Sequence, residues 1–280
     1  MHFFHYLCSV KQQIDYIISQ LRGHFPEEEA RELAYWVIEE TTGLTRTQVI
    51  TGCKVTENIP NIEIILQKLI EQQPIQYIFG HTEWMGLDLQ LNSDTLIPRP
   101  ETAELVEWIL AEMDKHSPLR VVDIGTGSGC IAIALKHHCP LWQIKGIDIS
   151  EEALQMASNN AIRNSVPIDW EQLDILTKTI DNVDIIVSNP PYICDKEKQT
   201  MQARVLEYEP HRALFVPDTD PLLFYRRIAA MKAARYLFFE INEAYGKEVC
   251  GMLAELGYQN ITLKHDMYGK ERMVFGTIDC

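Results

Sequence analysis

The chain has 280 residues, of which 46% are hydrophobic, and a formal net charge of −15. This length allows one large α/β domain plus a smaller unit, and the hydrophobic content is sufficient for a full-sized core. An acidic surface repels phosphate backbones, so the charge disfavours proteins whose partner is naked nucleic acid. No apolar run approaches the roughly 18 residues of a membrane span, so no membrane partner is predicted.

The seven cysteines are scattered, and none forms a C-x-x-C pair. The sequence therefore predicts reduced thiols, with neither a metal site nor a disulfide framework. Residues 1–6 lack the basic segment and the small-residue cleavage site of a signal peptide. We expect a soluble, cytoplasmic protein.

Residues 1–73 are predicted to form a helical bundle. Apolar residues recur at helical spacing over 14–21, 33–38 and 62–69. Gly43 is predicted to end the second helix, and Thr45 to cap a short one that leads to Gly52. Such stripes are typical of a bundle core rather than of a cofactor pocket.

A linker is predicted over 74–98, where the apolar segments 77–79 and 87–91 flank Gly86 and indicate a β-hairpin. From residue 99 onward the pattern changes to alternating strands and helices, after a proline-rich elbow that leads into a helix over 101–113. Strands are predicted at 119–124, 142–147, 168–172, 183–188, 234–240, 258–264 and 271–276, and helices at 128–138, 150–163, 220–233 and 243–256. This alternation predicts a doubly wound α/β domain over 99–280. The stretch 193–219 is predicted to be a long irregular loop.

A glycine-rich turn follows the first strand of this domain, with Gly125, Thr126, Gly127, Ser128 and Gly129 leading into a helix. Glycines allow the backbone to approach a ligand closely. The spacing is G-x-G-x-G and no Walker lysine follows, so a dinucleotide or phosphate site is disfavoured. A tight strand–helix turn without a ligand is the alternative.

Polar residues also follow the next strands of the predicted sheet. Asp148 ends the second strand, where a carboxylate can accept both hydroxyls of a ribose, or can simply cap the following helix. Trp170 and Asp174 lie near the end of the third strand, where an adenine ring can be bracketed. For Trp170, ordinary core or rim packing is the alternative.

The tetrapeptide Asn189-Pro190-Pro191-Tyr192 ends the fourth strand. The prolines fix φ, and the residue before each proline is extended, so the Asn189 side-chain oxygen and the Pro190 carbonyl can act as two parallel acceptors. Such a pair suits a planar NH₂ group whose nitrogen is attacked, with Tyr192 lying against its plane. Asn189, Pro190 and Tyr192 are the predicted catalytic residues, and all four residues are predicted to bind substrate. A simple turn is the alternative.

The carboxyl ends of parallel strands converge on one crevice, so the loop, Asp148 and the tetrapeptide are expected to form a single site. A nucleoside-linked ligand without a phosphate cradle, next to a slot for an amino group, suggests the methyl donor S-adenosylmethionine. The predicted cofactor site comprises Gly125 to Gly129, Asp148, Trp170 and Asn189.

With these motifs, the chain resembles the PrmC/HemK family of glutamine-N5 methyltransferases of peptide chain release factors. The resemblance covers about 74–276 and includes PIQYIFG at 74–80, IPRPET at 97–102, DIGTGSGC at 123–130, NPPYI at 189–193, EPHRAL at 209–214 and DMYGKER at 266–272. It departs at Ala103, where the family often has an acidic residue.

The resemblance implies a seven-stranded Rossmann-like class I methyltransferase sheet whose last strand is antiparallel. It also implies an N-terminal bundle that helps to grip class I release factors, and methyl transfer to the glutamine of their GGQ motif. We expect a monomer without a direct nucleic-acid partner. The alternatives are an enzyme that methylates exocyclic amines of nucleic-acid bases and a non-enzymatic adaptor.

Overall fold

The computed structural model of the chain describes residues 9–51 and 59–279. Residues 1–6, Gly52 and the cysteines 8, 53 and 280, which entered the sequence predictions, lie outside these ranges. The chain forms two compact units, Met1–Phe79 and Gly80–Cys280. None of the described helices is both long and apolar enough to cross a membrane.

The first unit is helical. Its helices are α1 (Val10–Leu21), α2 (Glu27–Thr42), α3 (Arg46–Ile50), α4 (Ile62–Ile70) and α5 (Ile75–Phe79). Gly43 ends α2 in the left-handed conformation, with φ of 69°, and Thr45 forms a capping box with Gln48 at the start of α3. The predicted apolar stripes form the core of this unit.

The predicted strand at 77–79 is wrong, because these residues belong to α5. Amide groups of Tyr77 and Ile78 donate to the Pro74 carbonyl, at 2.9 and 3.1 Å, so the proline starts a helical turn. The hairpin lies one segment later, where β1 (His81–Trp84) pairs antiparallel with β2 (Leu87–Gln90). The apolar segment 77–79 is too short for its periodicity to distinguish a helix from a strand.

The second unit is built on a seven-stranded sheet. Its strands are β3 (Arg120–Ile124), β4 (Gln143–Asp148), β5 (Asp169–Gln172), β6 (Val183–Ser188), β9 (Ala234–Glu240), β10 (Gln259–His265) and β11 (Glu271–Thr277), and each one lies close to a predicted strand. The spatial order is β5-β4-β3-β6-β9-β11-β10. Strands β3, β4, β5, β6 and β9 are parallel, whereas β11 pairs antiparallel with both of its neighbours. The sheet therefore has the predicted class I methyltransferase arrangement.

Helices cover both faces of this sheet. They are α6 (Pro100–Glu112), α7 (Cys130–His138), α8 (Glu151–Arg163), α11 (Leu223–Ala230) and α12 (Gly246–Glu255), the last preceded by a 3₁₀ turn, Glu243–Tyr245. Successive strand residues such as Phe238 and Phe239 enter different hydrophobic clusters, one on each face. Because both faces are buried, the middle residues of the central strands are mostly apolar.

The stretch predicted as one irregular loop contains short elements instead. They are β7 (Ile193–Cys194), a 3₁₀ turn (Asp195–Thr200), α9 (Ala203–Tyr208), α10 (His211–Leu214) and β8 (Phe215–Val216). Strands β7 and β8 pair in parallel, so the segment is closed at its base. Elements of two to six residues are too short to show a period in the sequence.

Candidate active site

A cavity of about 380 Å³ lies at the carboxyl ends of β3, β4, β5 and β6, where the strand order reverses direction. Gly125 and Gly127 line it, with φ of +73° and +55°. Apart from the chain neighbours, no atom of the described residues lies within 4 Å of a Cβ built on either glycine. A side chain at either position would be strained by its φ and would also project into open space, so these two glycines leave the wall free for a ligand.

The other three residues of the predicted loop have a different function. Thr126, Ser128 and Gly129 do not line the cavity. Thr126 donates its hydroxyl to Asp123 at 2.6 Å, and a Cβ on Gly129 would lie 3.0 Å from the Trp170 ring. These residues hold the loop against the core rather than face the cavity.

Asp148 lines the cavity and stabilises the glycine loop. Its Oδ2 accepts the Gly127 amide at 2.9 Å, and its Oδ1 accepts the Ser150 amide at 3.0 Å. Ser150, rather than Asp148, caps α8, because its hydroxyl accepts the Ala153 amide at 3.2 Å. Burial raises the pKa of Asp148, whereas the backbone N–H donors oppose this effect. The carboxylate retains acceptor capacity on the cavity side.

Trp170 does not line the cavity, in contrast to the prediction. Its ring packs beneath Gly146, where a Cβ would come within 2.2 Å of the ring, and belongs to the edge of a hydrophobic cluster. Trp170 lies within β5, and no residue of β5 lines the cavity. The lining comes instead from the segment after β5, namely Leu173, Asp174, Ile175 and Leu176.

Several lining residues carried no assigned role in the sequence. Arg212 and Ala213 of α10 and Phe224 of α11 close the cavity opposite the sheet, and Thr95 and Leu96 approach from the segment before α6. Arg212 lies within the EPHRAL motif, which was the only sequence signal for this contribution. Ala213 lies in the same motif, whereas Phe224, Thr95 and Leu96 carry no pattern that distinguishes them from packing residues.

Asn189, Pro190 and Pro191 line the same cavity. Asn189 donates from Nδ2 to the Thr102 hydroxyl at 3.2 Å. Within the described part of the chain, no group donates to Asn189 Oδ1, and this side chain is only half-buried. The amide oxygen is thus the free end of the residue, as the two-acceptor interpretation requires.

A second cavity, of about 180 Å³, lies on the other side of Asn189. Tyr192 and Arg99 line it, together with residues of β7, α9 and α10. The same Asn189, Leu96 and Ala213 line both cavities and form the partition between them. Asn189 therefore lines two separate cavities. The glycine loop lines the larger one, and Tyr192 lines the smaller one.

Glu209 fixes the wall of this second cavity. Its side chain is 2% exposed, and it accepts the Arg99 guanidinium at 2.5 Å and the Ile97 amide at 3.3 Å. No role was predicted for Glu209 from the sequence. The contact ties the loop before α10 to the elbow before α6, although 110 residues separate the two partners.

Two buried carboxyl groups lie behind the site. Burial raises the pKa of Asp123 to about 7, with the Thr126 hydroxyl acting in the opposite direction. Burial also raises the pKa of Glu240, against the hydroxyls of Thr102 and Tyr192 and the charge of Arg272. Among the described residues there is no group of three or more His, Cys, Asp or Glu side chains arranged to hold a metal ion.

Comparisons with known proteins agree with this geometry. Residues 105–214 match the family model of the methyltransferase small domain. The chain is 43% identical to the release factor glutamine methyltransferase of Flavobacterium psychrophilum, over 95% of this chain and 98% of that protein. It is 39% identical to the protein of the same name from Bacteroides thetaiotaomicron, over 92% and 96% of the two chains.

Among solved structures, the hMettl16 catalytic domain superimposes with a TM-score of 0.57 at 14% identity, over 82% of this chain and 86% of that one. At this identity the likeness concerns the fold alone. The curated relatives, by contrast, are similar along nearly their whole length, and similar names recur down to 32% identity. The chain belongs to the release factor glutamine methyltransferase family.

Proposed function

We propose that the chain transfers a methyl group from S-adenosylmethionine to the side-chain amide nitrogen of the glutamine in the GGQ motif of peptide chain release factors. The observation that carries this function is the position of Asn189, whose free amide oxygen lies on the partition between two cavities. One cavity suits a nucleoside-linked donor, and the other suits a carboxamide side chain.

S-adenosylmethionine fits the larger cavity by the chemistry of its walls. Asp148 offers carboxylate oxygens to a ribose, Gly125 and Gly127 leave room for close backbone approach, and the apolar residues after β5 suit an adenine ring. Asp174, Ile149 and Leu176 also line the cavity around the position proposed for the adenine ring. When bound, S-adenosylmethionine supplies an electrophilic methyl group on a sulfonium centre.

The glutamine amide is a poor nucleophile, since its lone pair is conjugated with the carbonyl. In the proposed mechanism, Asn189 Oδ1 and the Pro190 carbonyl accept its two N–H groups and stabilise positive charge on the nitrogen. Preorganised dipoles of this kind are worth about 3–4 kcal/mol each, and orientation at contact distance about 7–11 kcal/mol more. Tyr192 lies against the amide plane and excludes water during the transfer, and the surplus N–H proton of the methylated nitrogen passes to solvent when the product leaves.

We further propose that the partners are class I release factors, which residues 1–73 help to bind, and that the chain acts as a cytoplasmic monomer without a nucleic-acid or membrane partner. The net charge of −15 supports the absence of a nucleic-acid partner. Size-exclusion chromatography with light scattering tests the oligomeric state. Truncation at residue 74 or at residue 80 tests which boundary yields a folded catalytic domain.

The activity is tested by mass spectrometry of a release-factor peptide that contains Gly-Gly-Gln, after incubation with methyl-labelled cofactor. The expected product is a single added methyl group on the glutamine, with none on a matched Gly-Gly-Glu peptide. An adenine- or cytosine-containing oligonucleotide in the same assay tests the nucleic-acid alternative. Label on the oligonucleotide and not on the Gln peptide would overturn the proposal.

A further inference from the structure

We propose that Thr102 and Glu240 are positioning residues that fix which end of the Asn189 carboxamide faces the cavities. This inference deepens the proposed function and rests on it, because it assigns how the acceptor oxygen is held in place. Neither residue lines the cavities, so each acts through another side chain.

The three side chains form a continuous chain of hydrogen bonds. Thr102 lies in the first turn of α6 and is 3% exposed, and Glu240 ends β9 and is 1% exposed. The Thr102 hydroxyl donates to Glu240 Oε2 at 2.6 Å and accepts from Asn189 Nδ2 at 3.2 Å. The first turn of α6 thereby reaches the tip of β6.

The polarity of this chain follows from counting protons. A threonine hydroxyl has one proton to donate. Glu240 accepts from two hydroxyls, those of Thr102 and Tyr192. These donors, together with the charge of Arg272, oppose the effect of burial and favour the ionised carboxylate, and this form can only accept. Once Thr102 donates to Glu240, it can only accept from Asn189, so the NH₂ end of the carboxamide must face Thr102. The oxygen end then faces the cavities. Rotation of the amide by 180° would place Oδ1 against an oxygen that has no proton left to give.

The same carboxylate also holds the other end of the tetrapeptide. Tyr192 donates its hydroxyl to Glu240 Oε1 at 3.1 Å, so the two oxygens of one buried group accept from Thr102 and from Tyr192. Asn242 Nδ2 adds a contact to the Tyr192 carbonyl at 3.0 Å. Glu240 thus determines which group donates and which accepts in the hydrogen bonds on both sides of the proline pair.

A test that separates positioning from packing compares three threonine substitutions. Thr102→Val keeps the shape and removes the hydroxyl, Thr102→Ser restores it, and Thr82→Val makes the same change at a buried threonine of the hairpin outside both cavities. We expect kcat to fall about tenfold or more in Thr102→Val, as for the loss of one orienting hydrogen bond. The dissociation constant of the cofactor should stay within about twofold, and Thr102→Ser should recover most of the lost kcat.

A second readout does not depend on turnover. The ¹⁵N side-chain amide resonance of Asn189, assigned by its loss in Asn189→Ala, should shift in Thr102→Val and return toward its position in Thr102→Ser. In single-turnover assays, Thr102→Val should cost nothing further in the Asn189→Ala background, because a residue that acts only through Asn189 has no effect without it.

The inference is overturned by a wild-type kcat in Thr102→Val, by an unchanged Asn189 resonance, or by additive losses in the double variant. If Thr102→Val does not fold, Thr102→Cys replaces the hydroxyl with a weakly bonding thiol of similar size and is subject to the same criteria. If the wild-type protein fails to methylate a Gly-Gly-Gln peptide, the proposed function is wrong. The resonance measurement still tests whether Thr102 orients the Asn189 side chain.

Discussion

Replacement of Asp148 by Asn is expected to weaken binding of S-adenosylmethionine and to leave kcat at saturating cofactor within about threefold of wild type. The carboxylate accepts the Gly127 and Ser150 amides, one on each oxygen. An Asn side chain retains one acceptor oxygen and turns an NH₂ group toward the other backbone N–H. One hydrogen bond is therefore lost, and the glycine loop moves away from its position against the cavity.

The size of the effect is set by the ribose hydroxyls, which lose a charged acceptor in the variant. A hydrogen bond to a charged group contributes about 1.5–3 kcal/mol. At about 1.4 kcal/mol per tenfold change in affinity, the dissociation constant should rise about 10- to 150-fold. Displacement of the glycine loop adds to this loss, so the upper part of this range is expected.

Isothermal titration calorimetry with S-adenosylmethionine measures this change. Because burial raises the pKa of Asp148, titrations belong at a pH of about 8, where more of the wild-type carboxyl group is ionised. Glu151→Gln is the matched control, since it removes one negative charge from an exposed residue in the first turn of the same helix. The reasoning is refuted if Asp148→Asn binds within about threefold of wild type, or if Glu151→Gln weakens binding equally.

Three further predictions concern single side chains. Asn189→Ala should lower kcat by about 10²–10³ while changing cofactor affinity little, as measured by single-turnover kinetics and calorimetry. Tyr192→Phe should retain most of kcat but lose about 1–3 kcal/mol of unfolding free energy in urea titrations, because Glu240 Oε1 loses its donor. Asp123→Asn should change the pH dependence of stability. The pKa of Asp123 is about 7 in the folded chain, above its ordinary value of 3.8, so wild-type stability falls as pH rises through this window. This fall in the unfolding free energy, about 1.4 kcal/mol per pH unit in the wild type, should be absent in the variant.

Each of these has an outcome that contradicts it. Near wild-type turnover in Asn189→Ala would contradict the two-acceptor mechanism. A large fall in kcat for Tyr192→Phe would show that the hydroxyl itself takes part in the reaction, beyond the shielding by its ring. If the unfolding free energies of Asp123→Asn and of the wild type change equally with pH between pH 5 and 7, burial does not hold a proton on this carboxyl group.

The order of strands and helices in the second unit is readable from the sequence, because each long element carries its own hydrophobic period. Short elements have too few residues to show a hydrophobic period. Residues 77–79 form a helical turn after Pro74 although their composition suits a strand, and residues 193–216 contain elements too short to repeat. Local pattern predicts structure well only where an element is long enough to bury a face.

The position of a residue relative to the cavity is a different kind of information. Gly125, Gly127, Asp148 and Asn189 line the cavity as the motifs predict, since all follow strands whose ends converge. Trp170 does not, because its ring packs against Gly146 and Gly129 at the edge of a hydrophobic cluster. The cavity is lined instead by the segment after β5, from Leu173 to Leu176, and composition does not reveal this boundary.

The sheet, the glycine turn and the Asn-Pro-Pro-Tyr tip are predictable from the amino-acid sequence, because these features depend on local periodicity and on the backbone limits of glycine and proline. The position of Asn189 between two cavities depends on long-range packing, as do its contact with Thr102, 87 residues away, and the contact of Thr102 with Glu240, 138 residues away. Such contacts join segments that share no local pattern, so their partners are fixed by the packing of α6 and β9 beside β6.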